Sequence, residues 1–332
     1  MRIFLAPMEG VVDHNIRQLY STLGGIDAAV TEFVRVSQSR LPDAVFHRLC
    51  PELVAPIAIP VRVQLLGSDP VNLAEHAQRL AALGAVGIDL NFGCPAKTVN
   101  KSRGGACLLQ EPRLLNEIAS AVRAAVPPCT PVTAKMRLGF NAREGYLDTA
   151  QALADGGISE LFVHGRSKVD GYKPPAYWGA IGEIQQALHI PVIANGELWT
   201  PEDVTQCIRE SGCTDIMLGR GLLATPDLAL AVKQQRLGND YQLLSWHAIL
   251  PKVWQYHLST LQSYDPKYAG NRLKQWLMYL QIRYPEAKTF FEAIKRLRTA
   301  DDLASAFHHY CKQYMPNSTS LGTRRQECAL RA

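Results

Sequence analysis

The chain has 332 residues, of which 47% are hydrophobic and 20% are charged, with a formal net charge of +5. This composition is that of a globular protein, and it excludes collagen-like, low-complexity and wholly disordered chains. No apolar run approaches the length of a membrane span, and the short run before Glu9 lacks the features of a signal peptide, so a cytoplasmic protein is expected.

Eight short apolar runs are predicted to be strands. They are apolar on both faces, as buried parallel strands are, and segments with helical periodicity separate them. Among those segments, 112–126 and 201–212 have Pro near the first turn, and 70–85 ends near a Gly. The alternation predicts an α/β fold, a (β/α)8 TIM barrel, with strands at 3–7, 28–33, 61–67, 86–93, 131–139, 160–166, 191–197 and 215–221. An open doubly wound sheet is the alternative, but no GxGxxG follows the first strand.

Polar residues stand at or near the ends of nearly all these runs. In a barrel the carboxyl ends of the strands meet around one mouth, whereas in an open sheet they would not converge. These residues are therefore candidates for one site: Glu9, Glu32, Gln64, Asn91, Lys135, His164, Asn195 and Arg220.

The pattern changes after Gly238, where about four helices are predicted. From Tyr241 onward there are 13 Lys and Arg against 6 Asp and Glu, whereas the first 240 residues have 22 against 24. The predicted division is a barrel at 1–240, a small helical bundle at 241–315 and a disordered basic tail at 316–332. A basic helical part can bind a polyanion, although it can equally be a solvated face over an aromatic core.

The eight cysteines form no CxxC pair, so no metal site is expected and the thiols are predicted to be free. Cys94 differs from the others because it follows a predicted strand directly, in the sequence DLNFGCPAKTV. At such a turn a cysteine can fill the core, bind a metal, act as a nucleophile or act as an acid.

Glycines follow the last two predicted strands, in ANGE (194–197) and LGRG (218–221). In TIM barrels the loops at these two positions commonly bind phosphate through backbone N–H groups, and Arg220 can add a charged contact. The alternative is that the glycines only permit tight turns.

The fifth and sixth strands end in Lys-Met-Arg (135–137) and His-Gly-Arg (164–166). Lys135 can stabilise a developing anion or pair with a carboxylate such as Asp89 or Glu197. His164 can be a structural hydrogen-bonding residue or part of the site.

These motifs together resemble the tRNA-dihydrouridine synthase family. The similarity is carried, in order, by APMEGVVD, TEFVR, VQLLG, DLNFGCPAKTV with GGACLL, KMRLG, VHGR, PVIANGE and GCTDIMLGRG. TEFVRV and FHRLCPEL resemble the members that act at position 16 of tRNA. The resemblance implies an FMN-binding barrel that reduces the C5–C6 bond of a uridine to dihydrouridine, with NADPH or NADH as reductant. A monomer is expected, although the sequence does not set the oligomeric state.

The resemblance also assigns roles to residues. It implies that Cys94 protonates C5 of the uracil and that Asn91 orients the base beside it. FMN would contact Pro7, Met8, Glu9, Gln64, Lys135, His164, Asn195, Gly196, Glu197, Gly219 and Arg220. tRNA would contact Arg35, Lys97 and Arg166 on the barrel.

On the helical part, Arg272 and Lys274 are predicted to contact tRNA phosphates, while Trp276 is predicted to be core. Two other functions stay open at this point. One is an FMN barrel dehydrogenase for a free small molecule such as dihydroorotate, which needs no basic helical part. The other is an RNA-binding protein without catalysis.

Overall fold

Eight parallel strands close into a barrel in which every strand pairs with the next and the eighth pairs with the first. The computed structural model describes residues 1–37, 39–268 and 270–314. The predicted TIM barrel is confirmed, with β1 Ile3–Leu5, β2 Ala28–Arg35, β3 Val61–Leu66, β4 Ile88–Phe92, β5 Val132–Arg137, β6 Glu160–His164, β7 Val192–Asn195 and β8 Asp215–Leu218.

Helices cover the outside of the barrel and connect its strands. Asp69 caps one of them by accepting a hydrogen bond from the Asn72 backbone N–H, and Thr200 and Asp203 form a capping box on another. The helices in this part are α1 His14–Leu23, α2 Asp43–Leu49, α3 Pro70–Ala82, α4 Lys97–Lys101, α5 Pro112–Ala125, α6 Tyr146–Asp155, α7 Trp178–Ala187, α8 Pro201–Ser211, α9 Arg220–Ala224 and α10 Leu228–Arg236.

Several strands end earlier than predicted, because glycines turn the chain. The fifth strand was expected to reach residue 139 but ends at Arg137, and Gly139 has a φ of +134°, which a side chain rarely adopts. After His164 and Asn195 the HGR and NGE segments therefore continue as loops at the mouth, while in GRG Gly219 links β8 to α9. Backbone groups in these loops stay available for binding.

The amino end of the barrel is closed by packing. Phe4 and Phe162 meet edge to face inside the barrel, with ring centroids 5.0 Å apart. The Arg62 guanidinium lies over both rings and pairs with Glu160, which also binds Arg2. A ligand can therefore enter the barrel only from the carboxyl ends of the strands.

The chain divides into two compact units, Met1–Leu222 with Pro226–Tyr241, and Leu223–Thr225 with Gln242–Ala332. Besides the last two residues of α9, the described part of the second unit contains α11 Trp246–Ser263, α12 Asn271–Leu280, α13 Pro285–Ile294 and α14 Ala300–Tyr314, which match the four predicted helices. No helix in the described ranges is long and apolar enough to cross a membrane. The predicted tail at 316–332 lies outside the described residues.

Aromatic side chains build the core of the helical unit. Trp254 stacks on Phe307 with centroids 4.0 Å apart, and Trp276 meets Tyr256 edge to face at 5.1 Å. Trp276 is buried, as predicted, so the aromatic enrichment of this unit serves packing there.

Candidate active site at the carboxyl end of the barrel

The strand pairing brings the predicted strand-end residues together. Asn91 on β4 lies opposite Lys135 on β5, and His164 on β6 lies opposite Asn195 on β7. The register of β3 places Gln64 beside Asp89, which lies two residues before Asn91 on β4 and on the same face. Five polar side chains from adjacent strands thus line one side of the mouth, which an open sheet would not achieve.

A chain of hydrogen bonds fixes the loop that carries Cys94. Gln64 donates to Asp89 (2.7 Å) and accepts from the Asn91 amide (2.7 Å). The Asn91 oxygen in turn accepts the backbone N–H groups of Gly93 and Cys94, both at 3.0 Å. Gln64 is fully buried and Asn91 nearly so, and both therefore act here as supports of the Cys94 loop.

The double glycine downstream is required by contact with the same loop. Gly105 has a φ of +67°, and a Cβ there would lie 2.8 Å from the Cys94 carbonyl oxygen and 2.9 Å from its Cβ. Any side chain at this position would push Cys94 out of place. Gly105, eleven residues after Cys94, therefore helps to hold Cys94 in position.

The Cys94 thiol is half-buried at the mouth. Burial raises its pKa above the usual value, and the nearby Glu9 carboxylate adds to this, while the Ala96 N–H and the Arg137 and Arg35 guanidinium groups oppose it. The thiol is therefore protonated at neutral pH, which suits a proton donor and not a thiolate nucleophile or metal ligand.

Lys135 is a half-buried cation in the centre of this arrangement. Its ammonium donates to Asn195 Oδ1 at 3.0 Å, and the Asn195 amide is held by the Met217 carbonyl at 2.7 Å. Burial and the charge of Arg137 lower the pKa of Lys135 to about 8, although Asp89 opposes this. The Lys135 ammonium can therefore stabilise negative charge on a ligand bound at the mouth.

Lys135→Met should change how the stability of the ligand-free protein depends on pH. The pKa of a lysine is ordinarily 10.5, whereas that of Lys135 in the fold is about 8. Between pH 8 and pH 10.5 Lys135 is protonated in the unfolded chain but mostly neutral in the folded one, so the free energy of unfolding of the wild type rises with pH. The stability difference between wild type and variant should change by on the order of 3 kcal/mol across this window, measured by urea unfolding. Exposed Lys173 provides the control, Lys173→Met, and a difference that stays constant with pH would contradict the expectation.

His164 is buried and neutral. Burial lowers its pKa well below the usual value, and four nearby cations act in the same direction, Arg137 first. The Arg166 guanidinium lies 3.4 Å from Nε2, and because arginine only donates, the ring proton belongs on Nδ1. Gly196 has a φ of +113° and packs so closely on the ring that a Cβ would lie 2.8 Å from it.

Arg166 and Glu197 form an ion pair beside the histidine. Arg166 is fully buried and also donates to the carbonyls of Lys173 (2.7 Å) and Pro175 (3.2 Å). This geometry disfavours the predicted contact of Arg166 with tRNA, since reaching a phosphate would break these bonds. The second oxygen of Glu197 accepts from the Trp199 indole at 3.0 Å, so Glu197 can serve an anion only through its backbone, which has a φ of 58°.

The two glycine turns after β7 and β8 are in contact. A Cβ on Gly221 would collide with the Leu198 carbonyl, so the glycine allows the loops to touch. Arg220 follows Gly219, and its guanidinium lies over the rings of Tyr172 (4.8 Å) and Trp199 (5.2 Å). No carboxylate pairs with Arg220 in the parts of the chain that the structure describes. A cation without a counterion beside paired turns is the arrangement expected for a phosphate.

The remaining predicted barrel residues lie around the rim. Pro7 and Met8 are half-buried and Glu9 is exposed after β1, and the Met8 sulfur would lie 3.7 Å from a Cβ on Gly219. Arg35 ends β2 and donates to the Thr98 carbonyl at 3.3 Å, on the helix that carries exposed Lys97. These two cations therefore share one rim with the Cys94 loop.

Sequence reasoning did not assign roles to two residues of this site. Arg137 is buried and reaches three backbone carbonyls, and Tyr172, from the loop after β6, lies over both Arg137 (5.1 Å) and Arg220. The KMR triplet pointed to Arg137 through its alternation with Lys135. Nothing in the sequence pattern singled out Tyr172.

In the helical unit, the two predicted phosphate contacts differ. The Arg272 guanidinium lies 5.1 Å from the Tyr264 ring and lines a cavity of about 220 Å³ with Tyr264, Tyr268 and Thr260, among others. The Lys274 ammonium donates to the Leu297 carbonyl at 2.5 Å, and burial followed by the charge of Arg298 lowers its pKa. Lys274 is thus partly engaged within the fold.

Comparison with known proteins shows which family this chain is similar to. The family model described as "Dihydrouridine synthase (Dus)" matches residues 4–313. The chain is 52% identical over 300 residues to the tRNA-dihydrouridine(16) synthase of Pseudomonas putida, covering 89% of this chain and 93% of the relative. It is 46% identical over 317 residues to the protein of that name from Shewanella oneidensis, covering 93% and 99%. An old yellow enzyme homologue from Zymomonas mobilis shares the fold, with a TM-score of 0.51 at 16% identity over 74% of this chain and 91% of that one.

Proposed function

This chain belongs to the dihydrouridine synthase family, and we propose from that premise that it reduces a uridine of tRNA, at position 16, to 5,6-dihydrouridine. The observation that carries the proposal is a protonated thiol, Cys94, held rigidly at the mouth of the barrel beside the cation Lys135. A small-molecule dehydrogenase also needs such a barrel, but the relatives that are about half identical over nearly their whole length are named for tRNA.

The residues of the mouth fit an FMN cofactor. Arg220, without a carboxylate partner, would bind the phosphate together with the backbone turns at Gly196, Glu197 and Gly219. Lys135 would face the pyrimidine edge of the flavin, where negative charge collects on reduction, with Asn195 holding the lysine in place. His164, neutral and protonated on Nδ1, would donate a hydrogen bond, while Gln64, Pro7, Met8 and Glu9 would line the ring.

FMN, once bound and reduced, would supply the hydride for C6 of the uracil. The electrons would come from a nicotinamide dinucleotide, NADPH or NADH. Cys94 would then give its proton to C5, where the electron pair resides, and the raised pKa keeps that proton on the sulfur until it is needed. Asn91 would act on the base and on the loop together, since its oxygen already holds the Cys94 N–H.

Recognition of tRNA would need more than the mouth. The target base lies inside a folded RNA, and drawing it out of the stack costs a few kcal/mol. Arg35 and Lys97 on the rim would contact phosphates near the base, and the helical unit would supply a second surface. We propose that the protein works as a monomer in the cytoplasm.

The proposal is tested by mapping dihydrouridine in tRNA. The purified protein, supplied with FMN, NADPH and tRNA that lacks dihydrouridine, should convert one uridine, located by mass spectrometry at position 16. Conversion at another position would correct the site. If the protein interconverted free dihydroorotate and orotate and left tRNA unchanged, the small-molecule dehydrogenase would replace the proposal.

Replacing Arg272 and Lys274 by Ala should weaken tRNA binding and flatten its dependence on salt. Each neutralised phosphate releases counterions, so two lost contacts flatten the slope of log K against log salt by up to about two. Because Lys274 also binds the Leu297 carbonyl, the single variant of Arg272 should account for at least half of the change. Binding is measured at several salt concentrations.

The matched control is Lys288→Ala with Lys312→Ala, two exposed lysines of the same unit for which no contact is proposed. FMN content should stay normal in both double variants. A slope that is the same in all three proteins would place the tRNA on a different surface.

A further inference from the structure

Arg137, at the end of β5, is a buried guanidinium whose charge is not balanced by a carboxylate. It is 3% exposed, and no ion pair involves it among residues 1–37, 39–268 and 270–314. It donates instead to three backbone carbonyls, those of Gly93 (2.8 Å), Ser167 (3.1 Å) and Gly171 (2.9 Å). The Tyr172 side chain also contacts the guanidinium, whose carbon lies 5.1 Å from the ring centroid. A buried charge held by carbonyls and a tyrosine without a carboxylate is costly, which suggests a function beyond packing.

The first of these bonds acts directly on Cys94. The Gly93 carbonyl belongs to the same peptide group as the Cys94 N–H, which donates to Asn91 Oδ1 at 3.0 Å. Arg137 and Asn91 therefore hold that peptide group from its two opposite ends. Gly93 also packs against β5, where a Cβ would lie 3.7 Å from the Arg137 side chain. The orientation of the cysteine is thus set from strands β4 and β5 together.

The charge of Arg137 acts on the same cysteine. When the thiol loses its proton, a thiolate is left in a half-buried place, and nearby positive charge stabilises it. The groups that face Cys94 are Arg137, Arg35, Glu9 and the Ala96 N–H, of which only Glu9 disfavours the thiolate. Arg35 is exposed and screened by water, so the buried Arg137 is the stronger of the two cations.

We propose that Arg137 is the positioning residue of Cys94, fixing the Gly93–Cys94 peptide group and stabilising the thiolate that remains after proton donation. In this step the S–H bond breaks, a C–H bond forms at C5 of the base with the electron pair already there, and the negative charge passes to sulfur. The role in catalysis rests on the proposed function, whereas the hold on Cys94 does not.

The test is the pH dependence of Cys94 alkylation by iodoacetamide in the holoenzyme without tRNA, followed by mass spectrometry of the Cys94 peptide. Arg137→Gln should raise the midpoint by about one pH unit, which slows alkylation roughly tenfold at any pH well below it. Arg35→Gln removes an exposed cation and should shift the midpoint by less than about a third of that. An unchanged midpoint in a folded Arg137→Gln protein would overturn the proposal.

Arg137→Lys keeps the positive charge, but the lysine ammonium lacks the planar guanidinium that reaches three carbonyls. This variant provides the test if Arg137→Gln does not fold. Its alkylation midpoint should stay near that of the wild type, while hydrogen exchange at the Cys94 amide should become at least about fivefold faster. Wild-type exchange in this variant would overturn the positioning role. A wild type that fails to reduce tRNA would remove the proposed function but would leave both of these measurements intact.

Discussion

Cys94→Ala is expected to slow uridine reduction by about 10²- to 10⁴-fold, the usual contribution of a general acid. Burial raises the pKa of this thiol, and no histidine in the described residues hydrogen-bonds it, so the proton it carries is its own. Without the thiol, the proton for C5 would have to come from water or from a group that is not positioned to donate it. Flavin content and reduction by the nicotinamide should be unchanged, because neither needs the thiol.

The measurement is a single turnover of the reduced enzyme with tRNA that lacks dihydrouridine. Wild-type rates should fall as pH rises through the pKa of Cys94, since only the protonated thiol is the acid, whereas the residual rate of the variant should lack this fall. Cys107→Ala serves as control, since this second half-buried thiol of the same region donates to the Gly104 carbonyl at 3.3 Å. Equal rates for wild type and Cys94→Ala would show that another group supplies the proton.

The barrel could be predicted from sequence because its signals are local. Apolar runs with Pro at helix starts and Gly at turns recur along residues 3–221, and each signal needs only a few neighbouring residues to be read. The polar strand ends followed from the same pattern, since the closure of a barrel brings every carboxyl end to one mouth. Asn91, Lys135, His164 and Asn195 are adjacent for this reason.

The partners of those residues could not be predicted in the same way. Arg166 was expected to meet tRNA, yet it is buried against Glu197, 31 residues later in the chain. Tyr172 lies in a loop without periodicity, and only its fold places it over Arg137 and Arg220. Such contacts depend on loop conformation, and loop conformation has no repeating signal in one sequence.

Arg220→Met is expected to weaken FMN binding by roughly 30- to 1,000-fold, which corresponds to about 2 to 4 kcal/mol for charged hydrogen bonds to a phosphate. The structure prepares the guanidinium for such a partner. It lies over Tyr172 and Trp199, with no carboxylate paired to it in the described ranges, so a phosphate would meet a cation already held in place.

Riboflavin, which lacks the phosphate, makes this prediction specific. The affinity of the Arg220→Met protein for riboflavin should equal that of the wild type, so only the preference for FMN over riboflavin should collapse. Arg113→Met is the control, because that arginine is exposed on α5 and should leave both affinities unchanged. Both affinities are measured by quenching of flavin fluorescence on flavin-free protein. If the preference for FMN persisted in Arg220→Met, the phosphate would be bound by the backbone turns at Gly196 and Gly219 alone, and the unpaired charge of Arg220 would have to face the tRNA instead.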